Sequence, residues 1–70
     1  MRKVWILKSR DGEIEAASFS RTKMMQKAVE WFDAKQADKV KFVEVGGKPI
    51  IIDIRFGKQE WGMIVGIRLE

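Results

Sequence analysis

The sequence predicts an α+β fold, ββαβββ, with one helix packed on a five-stranded, mainly antiparallel sheet. Three observations lead there. The run Ile50-Ile51-Ile52-Asp53-Ile54 has a glycine turn signal on each side, Gly46-Gly47 before it and Gly57-Lys58 after it, so Lys39 to Leu69 reads as a three-stranded meander built outward from a central strand. Asp11-Gly12 lies between two further apolar segments and marks a hairpin. Between hairpin and meander, apolar residues recur at spacings of three and four, the period of an amphipathic helix.

In the first hairpin, Lys3 to Leu7 and Glu13 to Phe19 are the strands. A two-residue Asp11-Gly12 turn sets Arg10 against Glu13, Lys8 against Glu15, Leu7 against Ala16 and Trp5 against Ser18, so unlike charges face one another. Trp5, Leu7, Ile14 and Ala16 then share the core face. Ser20 is the expected helix N-cap, with Phe19 and Met24 placed as a hydrophobic staple. The helix runs from Arg21 to about Gln36, its stripe made of Met24, Met25, Ala28, Val29, Trp31 and Phe32.

In the meander, a three-residue Gly46-Gly47-Lys48 loop pairs Lys41 with Asp53 and Phe42 with Ile52. A two-residue Gly57-Lys58 loop pairs Arg55 with Glu60, Ile54 with Trp61, Ile52 with Met63 and Ile50 with Val65. Alternation then gives the core face Val40, Phe42, Ile50, Ile52, Ile54, Trp61, Met63 and Val65. If the first strand lies beside the fifth, the sheet order is 2-1-5-4-3 and every neighbour is antiparallel.

Seventy residues form one expected domain, 1–70, whose single core leaves a net stability of only about 3 to 5 kcal/mol. The chain has no cysteine, which points to a reducing, cytoplasmic compartment without disulfides or a thiolate metal site. The opening Met1-Arg2-Lys3 is followed by only four apolar residues, too few for a signal peptide or membrane span, and no membrane partner is expected. Histidine and tyrosine are also absent, which removes the commonest general base at neutral pH and the phenolic acid. Ser9, Ser18 and Ser20 occupy ordinary structural positions. An enzyme is disfavoured, and no cofactor, metal or catalytic residue is assigned. Gly46-Gly47-Lys48-Pro49 lacks the spacing of a phosphate loop, the Asp11 segment lacks the glycine and acid of a calcium loop, and Gly62 and Gly66 have membrane-dimer spacing but lie in a strand.

Two surfaces carry functional expectations. At the helix start, Ser20, Arg21, Thr22 and Lys23 combine free backbone NH groups and hydroxyls with two cations at the end of the dipole that disfavours them, a conflict that a bound anion or plain solvent would relieve. The sheet face turned away from the helix is the larger candidate. There Ile6, Ile64, Ile51 and Val43 are expected to line up as an apolar band, edged by Lys8, Arg10, Lys39, Lys41, Arg55 and Arg68. Strand propensity alone also places β-branched residues on exposed faces, so the band depends on the register.

The net charge is +4, fourteen Lys and Arg against ten Asp and Glu, which favours contact with anions and serves solubility equally well. In size and layout the chain resembles the small inhibitors encoded by phages and mobile elements, including some anti-CRISPR proteins with a helix on an antiparallel sheet. The resemblance is one of architecture and transfers no residue. It implies a non-enzymatic protein-binding domain that blocks a larger host protein or nucleoprotein complex through the outer sheet face. The alternative is a small nucleic-acid-binding domain using the cations of that face and the helix start. Interleaved acids and inward aromatics weigh against it. A homodimer through the band is compatible with both.

Overall fold

A computed structural model describes residues 2–69, so the two ends of the expected domain, residues 1 and 70, lie outside it. Its elements are β1 (Arg2–Ser9), β2 (Ile14–Ser18), α1 (Arg21–Val29), a short 3-10 turn (Ala37–Lys39), β3 (Val40–Val45), β4 (Ile50–Phe56) and β5 (Gln59–Leu69). The sheet order is β2-β1-β5-β4-β3, with every neighbouring pair antiparallel. The last strand therefore lies at the centre, pairing with β1 on one side and β4 on the other.

Two β-bulges decide which side chains reach the core. Between β4 and β5, Arg55 pairs with Glu60 as expected, but Ile54 then pairs with Gly62, leaving Trp61 as the extra residue. One inserted residue reverses the phase of the rest of the strand, because successive side chains alternate between faces. Ile52 therefore meets Ile64, not Met63, and Ile64 is fully buried. Met63 and Val65, expected in the core, face outward. The second bulge is in β2. Leu7 pairs with Ala16 and Trp5 with Ser18 as expected, whereas Lys8 pairs with Ile14 and Glu15 is left over.

The turn explains the second bulge. Gly12 N donates to Ser9 O at 2.9 Å, and Ser9 N donates to Glu13 O at 2.8 Å, so the loop is Arg10-Asp11-Gly12 and not the two-residue Asp11-Gly12 turn. Gly12 has φ +88°, the conformation this three-residue hairpin requires of its third residue. Ile14 consequently follows Lys8 to the outer side and is 65% exposed, which corrects its core assignment.

Between β3 and β4 the register differs from expectation by two residues. Phe42 pairs with Ile54, Lys41 with Arg55 and Val45 with Ile51. An even shift keeps every residue on its expected face, so Val40, Phe42, Ile50, Ile52 and Ile54 remain on the helix side. It does remove the expected Lys41–Asp53 pair and sets two cations opposite each other.

Helix α1 is shorter than its sequence pattern. Ser20 caps it, its Oγ accepting from Lys23 N at 3.3 Å, and regular helix ends at Val29. Trp31 N and Phe32 N then donate to the carbonyls of Ala28 and Val29, an i to i+3 tightening that ends the helix. This turn lays Phe32 flat on Phe56, ring centres 5.0 Å apart, and edge-on to Trp61 at 5.5 Å. The staple is absent: Met24 is buried, while Phe19 is exposed with the Arg2 guanidinium 5.6 Å from its ring centre.

The core on the helix side comprises Trp5, Leu7, Met24, Ala28, Ile52, Ile54 and Ile64, with Ala16, Met25, Val40, Phe42 and Ile50 packed around it. Gly62 and Gly66 flank Ile64 on this face of β5, and both make room for tryptophan. A Cβ on Gly66 would collide with the Trp5 ring, and one on Gly62 would lie 3.1 Å from the Trp31 ring. Among the described residues no polar or charged side chain is buried.

Candidate interaction surface

The only α-helix among the described residues lies on one side of the sheet, contacting β1, β2 and β5, so the other side of the sheet has no second layer. Register assigns its rows directly. Val45 pairs with Ile51, Ile51 with Val65, Val65 with Ile6 and Ile6 with Ala17, an apolar row that crosses all five strands. Val65, at its middle, is 9% exposed although no element covers it, because Ile6 and Ile51 flank it in register. Val45, at the end, is 45% exposed.

Neighbouring rows extend the patch. On one side Val4 pairs with Ile67; on the other, Met63 lies between Lys8 and Asp53, and Asp53 pairs with Val43. The next row holds Lys41, Arg55 and Glu60. Asp53 Oδ2 lies 3.9 Å from an Arg55 guanidinium nitrogen and Glu60 stands opposite Arg55, so two acids partly offset the three cations Lys8, Lys41 and Arg55. The surface is thus an apolar strip with a basic flank made by Lys8, Lys41 and Arg55.

This arrangement retains Ile6, Val43, Ile51, Lys8, Lys41 and Arg55 on the outer face and corrects three other expectations. Ile64 is in the core, its place in the apolar row taken by Val65, because the Trp61 bulge reverses the phase of β5. The same reversal puts Arg68 on the helix side, opposite Lys3. Arg10 lies in the hairpin loop, where it lines a depression with Glu15, Trp31 and Trp61. Val43 keeps its face but not its expected place in the band: the two-residue shift sets it opposite Asp53 and puts Val45 opposite Ile51. The alternation of Val45 with Val43 was visible, but the pairing that aligns Val45 with Ile51 and Val65 was not.

At the helix start one of the two cations expected to oppose the dipole, Arg21, has internal partners. Arg21 Nη2 lies 2.9 Å from Glu44 Oε1, and its guanidinium sits 5.6 Å from the Trp5 ring centre. Ser20 Oγ takes the Lys23 NH, and Ser18 Oγ accepts from Ser20 N at 3.0 Å. Ser20, Arg21, Thr22 and Lys23 therefore form a capped turn tied to β3 through Glu44.

Comparison with protein-family models, curated proteins and solved structures finds no significant match to this chain. The reading of the surface rests on its chemistry. No helix is long and apolar enough to cross a membrane among the described residues.

Proposed function

We propose that this chain is a non-enzymatic protein-binding domain that covers its outer sheet face with a partner, acting as an inhibitor that blocks a larger protein or nucleoprotein complex in a reducing, cytoplasmic setting. The observation that supports the reading is the continuous row Ala17, Ile6, Val65, Ile51 and Val45, whose edge residues stay open to solvent. A contiguous apolar strip with charged flanks has the anatomy of a protein interface: an apolar centre and a polar rim. Lys8, Lys41 and Arg55 select for a partner with an apolar patch bordered by carboxylates. A second copy is a poorer occupant, since each copy carries a net charge of +4 over the whole chain and the two repel.

A photoreactive residue at Val45, with a second at Lys27 on the exposed side of α1 as control, tests this in extracts of the native cells. The expected result is one protein adduct from Val45, lost when Ile51→Asp is added, and none from Lys27. The captured protein should then bind the purified domain directly, with affinity reduced by Ile51→Asp. Titration with duplex and single-stranded nucleic acid at two salt concentrations accompanies it. Tight binding that falls steeply with salt would replace the protein partner by nucleic acid. Sedimentation of the purified domain as a dimer that Ile51→Asp dissociates would instead assign the face to self-association.

A further inference from the structure

At the end of the sheet where β4 begins and β5 finishes, a cleft of about 540 Å³ is lined by Lys3, Gly47, Lys48, Pro49, Ile50, Gly66, Ile67 and Arg68. No residue of α1 lines it. Its size falls within the roughly 300–1,000 Å³ of small-molecule sites, and its mixture of apolar floor and few charged groups is the usual composition of such sites. Gly66 contributes backbone only, and the Trp5 ring occupies the space that a Cβ there would need. Ile50 pairs with Gly66 and continues the floor onto β4.

The charges around this floor are of one sign. Lys3 and Arg68 are directly opposite each other across β1 and β5, on the helix side of the sheet, and Lys48 enters from the β3–β4 loop. Like charges in direct cross-strand register are destabilising. No acidic side chain lines the cleft among the described residues. Trp5 provides only partial relief, with the Lys3 ammonium 5.9 Å from its ring centre.

We propose that this cleft binds a small amphiphilic anion, an apolar chain or ring carrying a carboxylate or phosphate, with the apolar part against Ile50, Pro49 and Ile67 and the head between Lys3, Lys48 and Arg68. The apolar floor separates this ligand class from free inorganic anions, and the cations separate it from neutral hydrocarbons. The site is at the sheet's end, where Ile67 belongs to the outer face but not to the row Ala17, Ile6, Val65, Ile51 and Val45, so its test is separate from that of the protein-binding reading.

The test is amide chemical-shift mapping of the isotope-labelled chain with decanoate, decyl phosphate and decyltrimethylammonium, each below its micelle concentration. Decanoate or decyl phosphate should give saturable shifts centred on Gly47, Ile50, Gly66 and Ile67; whichever binds more tightly identifies the head group. The ammonium compound should give none there. The double variant Lys3→Gln/Arg68→Gln should weaken binding by about tenfold or more, as expected for losing two charge-assisted contacts. Without ligand it should unfold at a temperature no lower than the parent, since it loses a like-charge pair. Equal binding by both head-group charges, shifts centred on Ile6 and Val45, or no saturable shift would each overturn the proposal.

Discussion

A methyl group added at Gly62 would press on the backbone oxygen of Lys8 and on the Trp31 ring, and one added at Gly66 would press on the Trp5 ring. Neither neighbour can yield cheaply, one being main chain in a paired strand and the other a buried indole. Gly62→Ala and Gly66→Ala should therefore each lower stability by about 2 to 3 kcal/mol, the upper range for overpacking a filled core. Gly46, with nothing within 4 Å of its Cβ position and no positive φ, is the control. Gly46→Ala should change stability by less than about 0.5 kcal/mol, as at other open surface positions. Urea unfolding of the three variants checks this, and equal losses would contradict the packing. These glycines were legible as a pair spaced by four in a strand, hence on one face. What they accommodate was not legible, because the tryptophans they receive come from β1 and from the segment after α1.

Elements were easier to find than their phase. β1, β3, β4 and β5 carry β-branched residues bounded by turn residues, β2 is marked by the Asp11-Gly12 turn before it, and the helix has its cap and stripe, so their existence follows from local sequence. The two bulges do not, since Trp61 and Glu15 carry no local signal that they stand outside the ladder. One residue at Trp61 exchanged Ile64 for Met63 and Val65 in the core and moved Arg68 to the other face. Ile6, Ile51, Lys8, Lys41 and Arg55 kept their faces because no bulge lies between them and the residues that set their alternation. The phase reversal is measurable. Ile64→Ala should cost about 3 kcal/mol, as large-to-small changes at fully buried sites do, and Met63→Ala less than about 1 kcal/mol. A ladder without the bulge gives the opposite ranking. The helix has its own test at the cap: Ser20→Ala removes the acceptor for Lys23 N and should cost about 1 kcal/mol. Glu44→Ala removes only an exposed ion pair to Arg21 and should cost less than that by thermal unfolding.

At the scale of the molecule, the strand order makes a hairpin and a meander into one cooperative unit. The first hairpin is local, and so are the turns of the meander, but β1 meets β5 across nearly the whole chain, with Arg2 opposite Leu69. That pairing was legible as one that leaves every neighbour antiparallel, although β1 beside β3 would also have done so. Its consequence is that Leu7, Ile52 and Ile64, from three different strands, bury one another beneath the single helix. Neither the β1–β2 hairpin nor the β3–β4–β5 meander keeps a closed core without the other. Native-state hydrogen exchange should accordingly show the slowest amides in β1, β4 and β5, exchanging with one common free energy equal to that of global unfolding. The edge strands should exchange sooner, β2 with its bulge and five residues and β3 with its exposed end at Val45. Two separate protected classes, one for the hairpin and one for the meander, would show that the β1–β5 seam opens on its own. In that case the central position of β5 would join two units without making them one.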